Sequence, residues 1–476
     1  MMRPAMQDLP GYALTFFVML AALLGSGHAV IYKREPRSAA LWLLVIWLIP
    51  VGGAILYLLI GVNRVERRAL RLRRRRRTEF GGAGGEAPRI EGPLAPLARL
   101  ANAVGGRPLV PGNAIELLVD GAQAYPSMLA AIDAARSSLC LASYIFHGRG
   151  IGARFIEAIV AAARRGVEVR VLIDDVNARF SFSCAAPRLR RAGIRVGVFN
   201  PTLVPARLHR AHLRNHRKIL VADGALGFTG GMNIDRNHWR DDGGEAYHDT
   251  HFRLRGPAVA QLVEVFAEDW HFSTGERLGG DRWFPPLQPI EEPGAMNARV
   301  IETGPDESIG RVRWTMIGAL NAARRTAMVC TPYFLPDAGL IAALNAAALR
   351  GVKVDILIPK ATDLPHVRWA MLGQLWQVLE RGCRVWESPG AFDHSKLLVV
   401  DGEWTLFGSS NWDARSLRLN FELDVEAYGA TLGSSVEKLL CAKRARAKPL
   451  TLAHLDGRPL GWKLRDGVAR LFTPYF

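Results

Sequence analysis

The sequence predicts an α/β protein in which two duplicated α/β sandwich domains with pseudo-twofold symmetry follow two transmembrane helices. Three observations on the 476-residue chain lead to this prediction. One motif occurs twice in full, helix-like and strand-like segments repeat in the same order in both halves, and two long apolar stretches precede them. The expected parts are a membrane anchor over 1–63, a basic segment and linker over 64–108, and duplicated domains over 109–290 and 291–476.

The N-terminal region contains two apolar stretches. Gly11 to Ile31 and Ala39 to Gly61 each reach the ~20 residues that a helix needs to cross a bilayer. The short turn Lys33 to Arg37 separates them, so the chain is expected to return to its starting side. A signal peptide is the less favoured interpretation, because Arg3 is balanced by Asp8 and the second stretch follows at once.

A basic segment follows the second stretch. Nine arginines lie between Arg64 and Arg77 against one acid, Glu66, so this segment alone carries +8 of a formal net charge of +17. The positive-inside rule then predicts a multi-pass protein of the inner membrane, with the N-terminus and both duplicated domains in the cytoplasm. Anionic lipid headgroups are the expected partner of these arginines, in preference to nucleic acid. Phe80 to Gly85, rich in glycine, is expected to be a flexible linker.

The rest of the chain contains an internal duplication. Each half places three matching strand-like segments in the same order between helix-like segments. The pairs are 139–146 with 327–334, 166–173 with 351–358, and 193–196 with 382–385. Short β-branched strands that alternate with helices indicate a mixed sheet, and two related halves can bring distant residues together at a shared interface.

The motif H-x-K-x4-D occurs once in each half. Its members are His216, Lys218 and Asp223 in the first half and His394, Lys396 and Asp401 in the second. Each copy is followed by a glycine-led turn that ends in an asparagine, Asn233 or Asn411. Fixed positions in two complete copies are a specific signal, whereas a single H-x-K in a basic protein would be a coincidence.

These residue types suit a substitution at phosphorus. One imidazole attacks phosphorus, and the other protonates the leaving oxygen and later deprotonates the incoming one. The lysines and asparagines supply hydrogen bonds to the phosphoryl oxygens as charge develops on them. This scheme requires no metal and no other cofactor, so none is predicted.

A nucleophilic imidazole needs an acceptor for its other ring nitrogen, which fixes the tautomer. The candidates lie on the strand after each asparagine. In the second half the candidate is Glu422, 28 residues after His394, and in the first it is Asp249, 33 residues after His216. Glu245 is the alternative to Asp249.

The aspartates of the motif are included among the catalytic candidates, but their positions favour another role. Asp223 and Asp401 lie directly before Gly224 and Gly402. There they are expected to shape a turn or to pair with charged neighbours.

Zinc binding is an alternative use of the histidines around the first motif. His209, His212 and His216 are spaced by three and four residues, but no cysteine or acidic ligand accompanies them. The five cysteines are dispersed without C-x-x-C spacing, as expected for reduced thiols in a cytosol-facing domain. The expectation is therefore that no metal is bound.

The two motifs resemble those of the phospholipase D superfamily, the HKD enzymes, and within it the chain is similar to the bacterial cardiolipin synthases. The narrower resemblance rests on the paired apolar stretches with Leu48 to Gly53, and on three short segments, 214–218, 331–336 and 420–422. It implies that two phosphatidylglycerol molecules are converted to cardiolipin and glycerol without metal or nucleotide. It also implies a phosphohistidine, with His216 expected as nucleophile and His394 as acid and base.

One position departs from the superfamily pattern. The first copy has Gly231 where serine is usual, as cardiolipin synthases also have in that half, so Ser409 of the second copy has no twin. Ser409, Asn233 and Asn411 are expected to bind the substrate in an asymmetric oxyanion environment.

Two other functions would use the same features. A phospholipase D that transfers to water, or a phosphatidyltransferase with another alcohol acceptor, would carry the same motifs. The charge of +17 also suggests a nucleic-acid-binding protein or nuclease, but the apolar stretches and the local origin of much of that charge weigh against it. The expected partners are phosphatidylglycerol and anionic membrane lipids, and no oligomeric state is predicted.

Overall fold

The computed structural model of the protein describes residues 9–33, 36–49, 51–61, 88–180, 183–201, 213–241, 243–305 and 308–473. The described chain forms two compact units, one that ends at residue 61 and one that begins at residue 88. The predicted basic segment, Arg64 to Arg77, and the predicted linker, Phe80 to Gly85, lie outside the described residues.

The N-terminal unit begins with a helix that is long and apolar enough to cross a membrane. Helix α1 spans Leu9–Tyr32, and within it Gly11–Tyr32 contains a window with a mean hydropathy of 2.0. Among the described residues it is the one helix that meets both the length and the composition of a span. The first predicted apolar helix is thus confirmed.

The second predicted span, Ala39 to Gly61, is not one continuous helix. It consists of α2 (Pro36–Leu48), α3 (Gly52–Leu56) and a π-helical turn (Tyr57–Gly61). The sequence has Pro50 between α2 and α3, and a proline disfavours a continuous helix because it lacks the N–H that a helix needs and restricts the residue before it. The chain turns back so closely that a Cβ on Gly53 would lie 2.2 Å from the carbonyl oxygen of Val45. With 13 residues, α2 is too short to cross a bilayer by itself.

The larger unit is built on one mixed sheet of fifteen strands. The first half contributes β1 (Val110–Val119), β2 (Ser138–Ser143), β3 (Glu168–Asp174), β4 (Arg195–Phe199), β5 (Ile219–Ala222), β6 (Leu226–Gly230) and β7 (Thr250–Arg255). The second half contributes β8 (Met296–Thr303), β9 (Thr326–Cys330), β10 (Lys353–Pro359), β11 (Arg384–Ser388), β12 (Leu397–Val400), β13 (Trp404–Gly408), β14 (Glu422–Tyr428) and β15 (Lys448–Leu450).

The strand order displays the internal duplication. Outward from the central antiparallel pair β1 and β8, the first half runs β7, β6, β5, β2, β3, β4, and the second runs β14, β13, β12, β9, β10, β11, with β15 at the edge. In both halves the second and third strands pair in parallel, and the strand within the motif pairs antiparallel to the second. The predicted duplicated α/β fold with a mixed sheet is confirmed.

Helices connect the strands in both halves. Those before and within the first half are α4 (Ala95–Ala103), α5 (Asp120–Ala134), α6 (Ile151–Arg164), α7 (Asp175–Phe180), α8 (Ala186–Arg191) and α9 (Ala258–Thr274). Those of the second half are α10 (Arg311–Ala322), α11 (Ala338–Leu349), α12 (Pro365–Leu372), α13 (Trp376–Leu379), α14 (Ala414–Arg418), α15 (Ala430–Arg446), α16 (Leu452–Asp456) and α17 (Leu460–Leu471). A 3-10 turn, Gly92–Leu94, precedes α4.

The sheet is covered by buried side chains on both faces. Alternate residues of β5 enter different clusters, because successive side chains of a strand point to opposite faces. Leu220 packs in a cluster of the first half, whereas Ile219 enters a cluster shared by the two halves. In the shared cluster Phe252 stacks on Phe407, with ring centroids 3.7 Å apart. This shared cluster joins the two halves on one face of β5 and β12.

Candidate active site

Both motif histidines lie three residues before the start of a strand that consists of the four residues between the lysine and the aspartate of the motif. His216 precedes β5 and His394 precedes β12, and each of these segments forms a parallel bridge with the opposite half. The His216 amide donates to the carbonyl of Phe421 at 2.9 Å, and the His394 amide donates to the carbonyl of His248 at 2.7 Å. Each of these carbonyl residues directly precedes one of the predicted acidic acceptors.

Each imidazole is held by a carboxylate of the opposite half. His216 Nδ1 lies 3.0 Å from Glu422 Oε2, and His394 Nδ1 lies 2.8 Å from Asp249 Oδ2. The structure therefore brings both predicted acceptors to the histidines, but it corrects their pairing, which the sequence had assigned within each half. Because an ionised carboxylate only accepts, Nδ1 carries the proton and the lone pair lies on Nε2. The alternative Glu245 instead accepts from the amide of Ala391 at 2.9 Å.

Glu422 accepts hydrogen bonds through both of its oxygens. Besides His216, Oε2 accepts from the hydroxyl of Ser409 at 2.6 Å. Oε1 accepts from Ser416 at 2.6 Å and from Asn420 at 3.1 Å. Ser409 thus supports the acceptor of His216, and the expectation that its hydroxyl binds the substrate stays a prediction. These three additional donors are all neutral.

Asp249 is held differently from Glu422. Its Oδ2 accepts from His394 and, at 3.2 Å, lies beside Nε2 of His238, whose Nδ1 is 2.9 Å from Asp235. A Cβ on Gly231 would lie 2.3 Å from Asp249 Oδ1. The departure from serine at this position therefore has a steric reason, because the carboxylate occupies the space of a side chain.

Both motif imidazoles are neutral at pH 7. Burial, followed by the nearby ammonium of Lys396, lowers the pKa of His394 to about 3. Burial also lowers the pKa of His216, although the carboxylate of Glu422 opposes this shift. A neutral imidazole that donates from Nδ1 keeps the Nε2 lone pair with which it acts as nucleophile or base.

His238 is a buried cation beside this pair. Burial would lower its pKa, but the carboxylates of Asp235 and Asp249 outweigh burial and raise the pKa to about 9. The ring centroids of His238 and His394 are 5.5 Å apart. Asp249 therefore lies between one neutral and one cationic imidazole, an arrangement that Glu422 does not share.

The motif lysines are buried and turn back towards their histidines. Lys218 Nζ donates to the carbonyl of His216 at 2.6 Å, and Lys396 Nζ donates to the carbonyl of His394 at 2.5 Å. Burial lowers the pKa of both ammonium groups, that of Lys218 to about 7. Each lysine thereby fixes the backbone that carries its histidine and keeps a donor close to the site.

A cavity of about 540 Å³ contains both imidazoles. Its lining includes the two motif histidines, the two predicted asparagines, two arginines and several apolar side chains. These lining residues are Tyr144, Arg214, His216, Asn233, Leu335, Leu364, Val367, His394, Asn411 and Arg415. The side-chain oxygen of Asn411 is buried and has no hydrogen-bond partner within the described part of the chain. It can therefore accept a hydrogen bond from a bound molecule.

The hydrogen bonds of the motif aspartates fit the structural role that their positions favoured, and their inclusion among the catalytic residues stays a prediction. Each accepts from three successive backbone amides of a preceding loop, 136–138 for Asp223 and 324–326 for Asp401. Both residues adopt a positive φ, 52° and 54°, at the turn after the motif strand. Neither lines the cavity. Through these bonds Asp223 ties the turn after β5 to the start of β2, and Asp401 ties the turn after β12 to the start of β9. This agrees with the role expected from their positions beside glycine.

One group of side chains has the spacing of a metal site. The donor atoms of His238, Asp249 and His394 lie within 4.8 Å of one another. Both imidazoles already contact the same carboxylate oxygen, so the three groups satisfy one another as hydrogen-bond partners. Of the zinc alternative, His209 and His212 lie outside the described residues, and the expected absence of a metal stays a prediction.

Several residues of the site were overlooked in the sequence. Asp235 and Asp413 each follow a motif asparagine by two residues, so an Asn-x-Asp repeat could have revealed them. His238 and Ser416 lie three residues after those aspartates, and each contacts the carboxylate that holds a motif histidine. No repeat pointed to His238, because its twin is a serine.

The duplicated sheet and the two buried, carboxylate-held imidazoles define an enzyme of the phospholipase D superfamily. Comparisons with known proteins agree with this class. The family model described as "Cardiolipin synthase, PLD-like domain" matches residues 128–270 and 316–441, and the one described as "Phospholipase_D-nuclease N-terminal" matches residues 18–61.

Individual relatives narrow the class. The chain is 32% identical to a cardiolipin synthase of Geobacillus kaustophilus, over 93% of this chain and 89% of that protein. It is 31% identical to the major cardiolipin synthase of Bacillus subtilis, over 97% of this chain and 98% of that protein. The crystal structure of phosphatidylserine synthase from Haemophilus influenzae has the same fold, with a TM-score of 0.63, 14% identity, and coverage of 80% of this chain and 100% of that one. The chain belongs to the cardiolipin synthase family of phospholipase D-like enzymes.

Replacing His238 with glutamine tests the cationic partner of Asp249. The pKa of His238 in the folded protein, about 9, exceeds the ordinary value of ~6.5. The favourable interaction of its positive ring with Asp235 and Asp249 is therefore complete below pH ~6.5 and is lost as the pH rises through about 9. We expect His238→Gln to be about tenfold slower at neutral pH, a change of about 1.4 kcal/mol in the barrier. We also expect the rate of the parent enzyme to fall as the pH rises through about 9 and that of His238→Gln not to show this fall, measured as pH–rate profiles.

Ser416→Ala is the matched control, because Ser416 has the same position in the other half and contacts Glu422 without charge. It should lower turnover without moving the alkaline limb. An alkaline limb that is unchanged in His238→Gln would show that His238 does not titrate as inferred.

Proposed function

We propose that this enzyme joins two phosphatidylglycerol molecules into cardiolipin and releases glycerol through a phosphohistidine intermediate. The observation that carries the proposal is the pair of imidazoles at one cavity, each with Nδ1 held by a carboxylate of the other half. Such a pair can take the two complementary roles of a double displacement at phosphorus. The names of the relatives supply the product, cardiolipin.

In the first displacement, Nε2 of His216 attacks the phosphorus of one phosphatidylglycerol. A nitrogen–phosphorus bond forms while the bond from phosphorus to the headgroup oxygen breaks, and protonated His394 gives its proton to that oxygen. Glycerol leaves, and His394 becomes neutral. His394 is neutral in the free enzyme, and the negative charge of the bound phosphate raises its pKa so that it takes up a proton from solvent before this step.

In the second displacement, a headgroup hydroxyl of another phosphatidylglycerol attacks the same phosphorus. His394 accepts the hydroxyl proton as the new oxygen–phosphorus bond forms and the nitrogen–phosphorus bond breaks. Cardiolipin is released, and both histidines return to their starting states. Water in place of the second lipid would give phosphatidic acid, so the acceptor alone separates a synthase from a hydrolase.

We assign the nucleophile to His216 because of the charges around its acceptor. The phosphorylated ring gains positive charge, and Glu422 can offset that charge fully because its other donors are neutral. Asp249 is shared with the cationic His238, so a second positive ring at His394 is less well stabilised. His394 carries positive charge only until it passes its proton on, so it is better suited to be the acid and base than to hold the phosphoryl group.

The cavity has groups for binding a phosphodiester and its headgroup. We propose that Arg214 and Arg415 supply positive charge towards the phosphates, and that Asn233 and Asn411 bind phosphoryl or headgroup oxygens. The motif lysines add positive charge beside the histidines, because each ammonium group binds the backbone carbonyl of its own motif histidine. No cofactor enters this scheme.

We further propose that the N-terminal unit anchors the enzyme in the inner membrane and that the unit from residue 88 onward, the catalytic unit, lies in the cytoplasm. Helix α1 supplies one crossing. The charge of Arg64 to Arg77 supports the cytoplasmic orientation, because basic segments next to a membrane span favour the cytoplasmic side. Labelling of engineered N-terminal cysteines by an impermeant maleimide in sealed, oriented vesicles would test this topology.

The test of the proposed reaction uses purified full-length protein in detergent, with phosphatidylglycerol as the sole lipid. Lipid products and free glycerol are measured by mass spectrometry. We expect cardiolipin and glycerol in equal amounts, at a rate that EDTA does not change. Phosphatidic acid with glycerol would make the protein a hydrolase, and a loss with EDTA that zinc restores would contradict the metal-free scheme.

A further inference from the structure

The helix α17 presents an apolar side to solvent. Leu460, Leu464, Val468 and Leu471 follow at intervals of four, four and three residues, which places them on one side of the helix. Their exposed fractions are 71%, 61%, 56% and 71%. A helix on the surface of a soluble domain has the opposite arrangement, with its apolar side inward. We refer to these four residues as the apolar face.

Polar contacts fix the orientation of α17. Asp466 is buried on the side opposite the apolar face, and its carboxylate pairs with Arg458 at 2.5 Å and with Arg465 at 2.8 Å. The guanidinium of Arg465 also lies 4.6 Å from the ring centroid of Trp369 in α12. Because the charged side of the helix is held inward by these contacts, the apolar face is held outward.

Basic and aromatic residues flank the apolar face. Lys463 and Arg470 are exposed and lie seven residues apart, so they share one flank of the helix. Phe472, directly after the helix, is 52% exposed. The only acid of the helix, Asp466, is buried and paired, so the exposed charge of α17 is entirely positive. Apolar residues with cationic flanks and an aromatic residue are the features of helices that lie in the headgroup region of a bilayer.

We propose that α17 lies in the surface of an anionic phospholipid bilayer and docks the catalytic unit onto it. A second copy of this chain could also cover the apolar face, but a symmetric contact would bring the positive flanks of two helices together. An anionic bilayer instead offers both the apolar layer and the negative charge. The proposal rests in part on the proposed function, because lipid substrates have to reach the cavity from a membrane.

The position of α17 connects this surface to the active site. The helix packs against α12, and Val367 of α12 lines the cavity that contains the imidazoles. Leu364, directly before α12, also lines the cavity and is 38% exposed. One layer of structure therefore separates the proposed membrane contact from the site where the lipids react.

The test uses the full-length chain with Leu464→Cys, labelled with an environment-sensitive nitrobenzoxadiazole fluorophore and reconstituted into vesicles of phosphatidylcholine and phosphatidylserine. We expect the emission to shift to shorter wavelength and to be quenched by lipids that carry a spin label. Leu349→Cys is the matched control, because Leu349 is 70% exposed at the end of another helix. It should show neither effect. The unmodified chain gives the background from Cys441, the partly exposed cysteine among the described residues.

The basic flank is tested by Lys463→Gln and Arg470→Gln in the labelled chain. Each change should lower the ratio of docked to undocked helix about fivefold in anionic vesicles, because a basic residue near such a surface contributes about 1 kcal/mol. In vesicles of phosphatidylcholine alone the same changes should have little effect. An equal loss in both kinds of vesicle would contradict the role of lipid charge.

Three results would overturn the proposal. They are an unshifted spectrum, a shift that spin-labelled lipids do not quench, and a shift in detergent that grows with protein concentration. The second would indicate contact with protein and the third a contact between copies. Because the readout requires no turnover, a chain that docks but makes no cardiolipin would contradict the proposed function and leave the docking intact.

Discussion

Replacing either motif histidine with alanine is expected to lower turnover by about 10⁴-fold or more, the size of loss seen when a residue that acts as part of a catalytic unit is removed. His216→Ala removes the atom that forms the bond to phosphorus, and His394→Ala removes the group that handles the proton. The double variant should be no slower than either single variant, because the two residues serve one reaction path. Initial rates of cardiolipin formation in detergent measure all three.

His454→Ala is the matched control, since His454 is an exposed histidine in α16 and does not line the cavity. It should retain the parent rate, and all variants should partition with membranes as the parent does. Near-normal turnover in His216→Ala or His394→Ala would show that the chemistry does not depend on two imidazoles.

Replacing the crossed carboxylates is expected to have the second largest effect, a loss of about 10² to 10⁴-fold in Glu422→Gln or Asp249→Asn. An amide removes the negative charge that stabilises a positive ring, and its NH₂ group favours the wrong tautomer of the imidazole. Asp249→Asn should also lower the melting temperature more than Glu422→Gln does, because it leaves the buried cation of His238 without its shared carboxylate. Rates and thermal unfolding are measured on the same preparations.

The control for these variants is Glu292→Gln. Glu292 forms a surface ion pair with Arg255 at 3.3 Å and its side chain is 60% exposed, so the change should alter stability by less than about 1 kcal/mol. If Glu422→Gln impaired the reaction no more than Glu292→Gln, the carboxylate would not be orienting His216.

The sequence was sufficient to predict the duplication and to identify the two histidines that meet at one cavity. Two complete copies of one motif identified His216 and His394, and the repeated segments identified the mixed sheet. The crossed pairing was not accessible, because it depends on backbone bridges at Phe421 and His248, which link segments more than 140 residues apart. Such bridges leave no periodic pattern in either segment.

Other features escaped because they break the repeat. Ser409 was expected at the substrate, and the bond of its hydroxyl to Glu422 was overlooked, while the shorter Asp249 leaves no space for a side chain at Gly231. The difference between serine and glycine at this position thus accompanies the difference between glutamate and aspartate. The interrupted second apolar stretch shows the same limit, because hydropathy counts residues and overlooks the local effect of Pro50.

The central claim is that a covalent bond forms between phosphorus and His216 while His394 moves the proton. It is tested most directly with His394→Ala and a phosphatidyl donor whose leaving group is p-nitrophenol, which needs no acid to depart. We expect release of p-nitrophenol to stop after one equivalent, with an acid-labile phosphoramidate mapped to His216 by mass spectrometry of the quenched peptides. The absence of this adduct, or an adduct that instead forms on His394 in His216→Ala, would contradict the account.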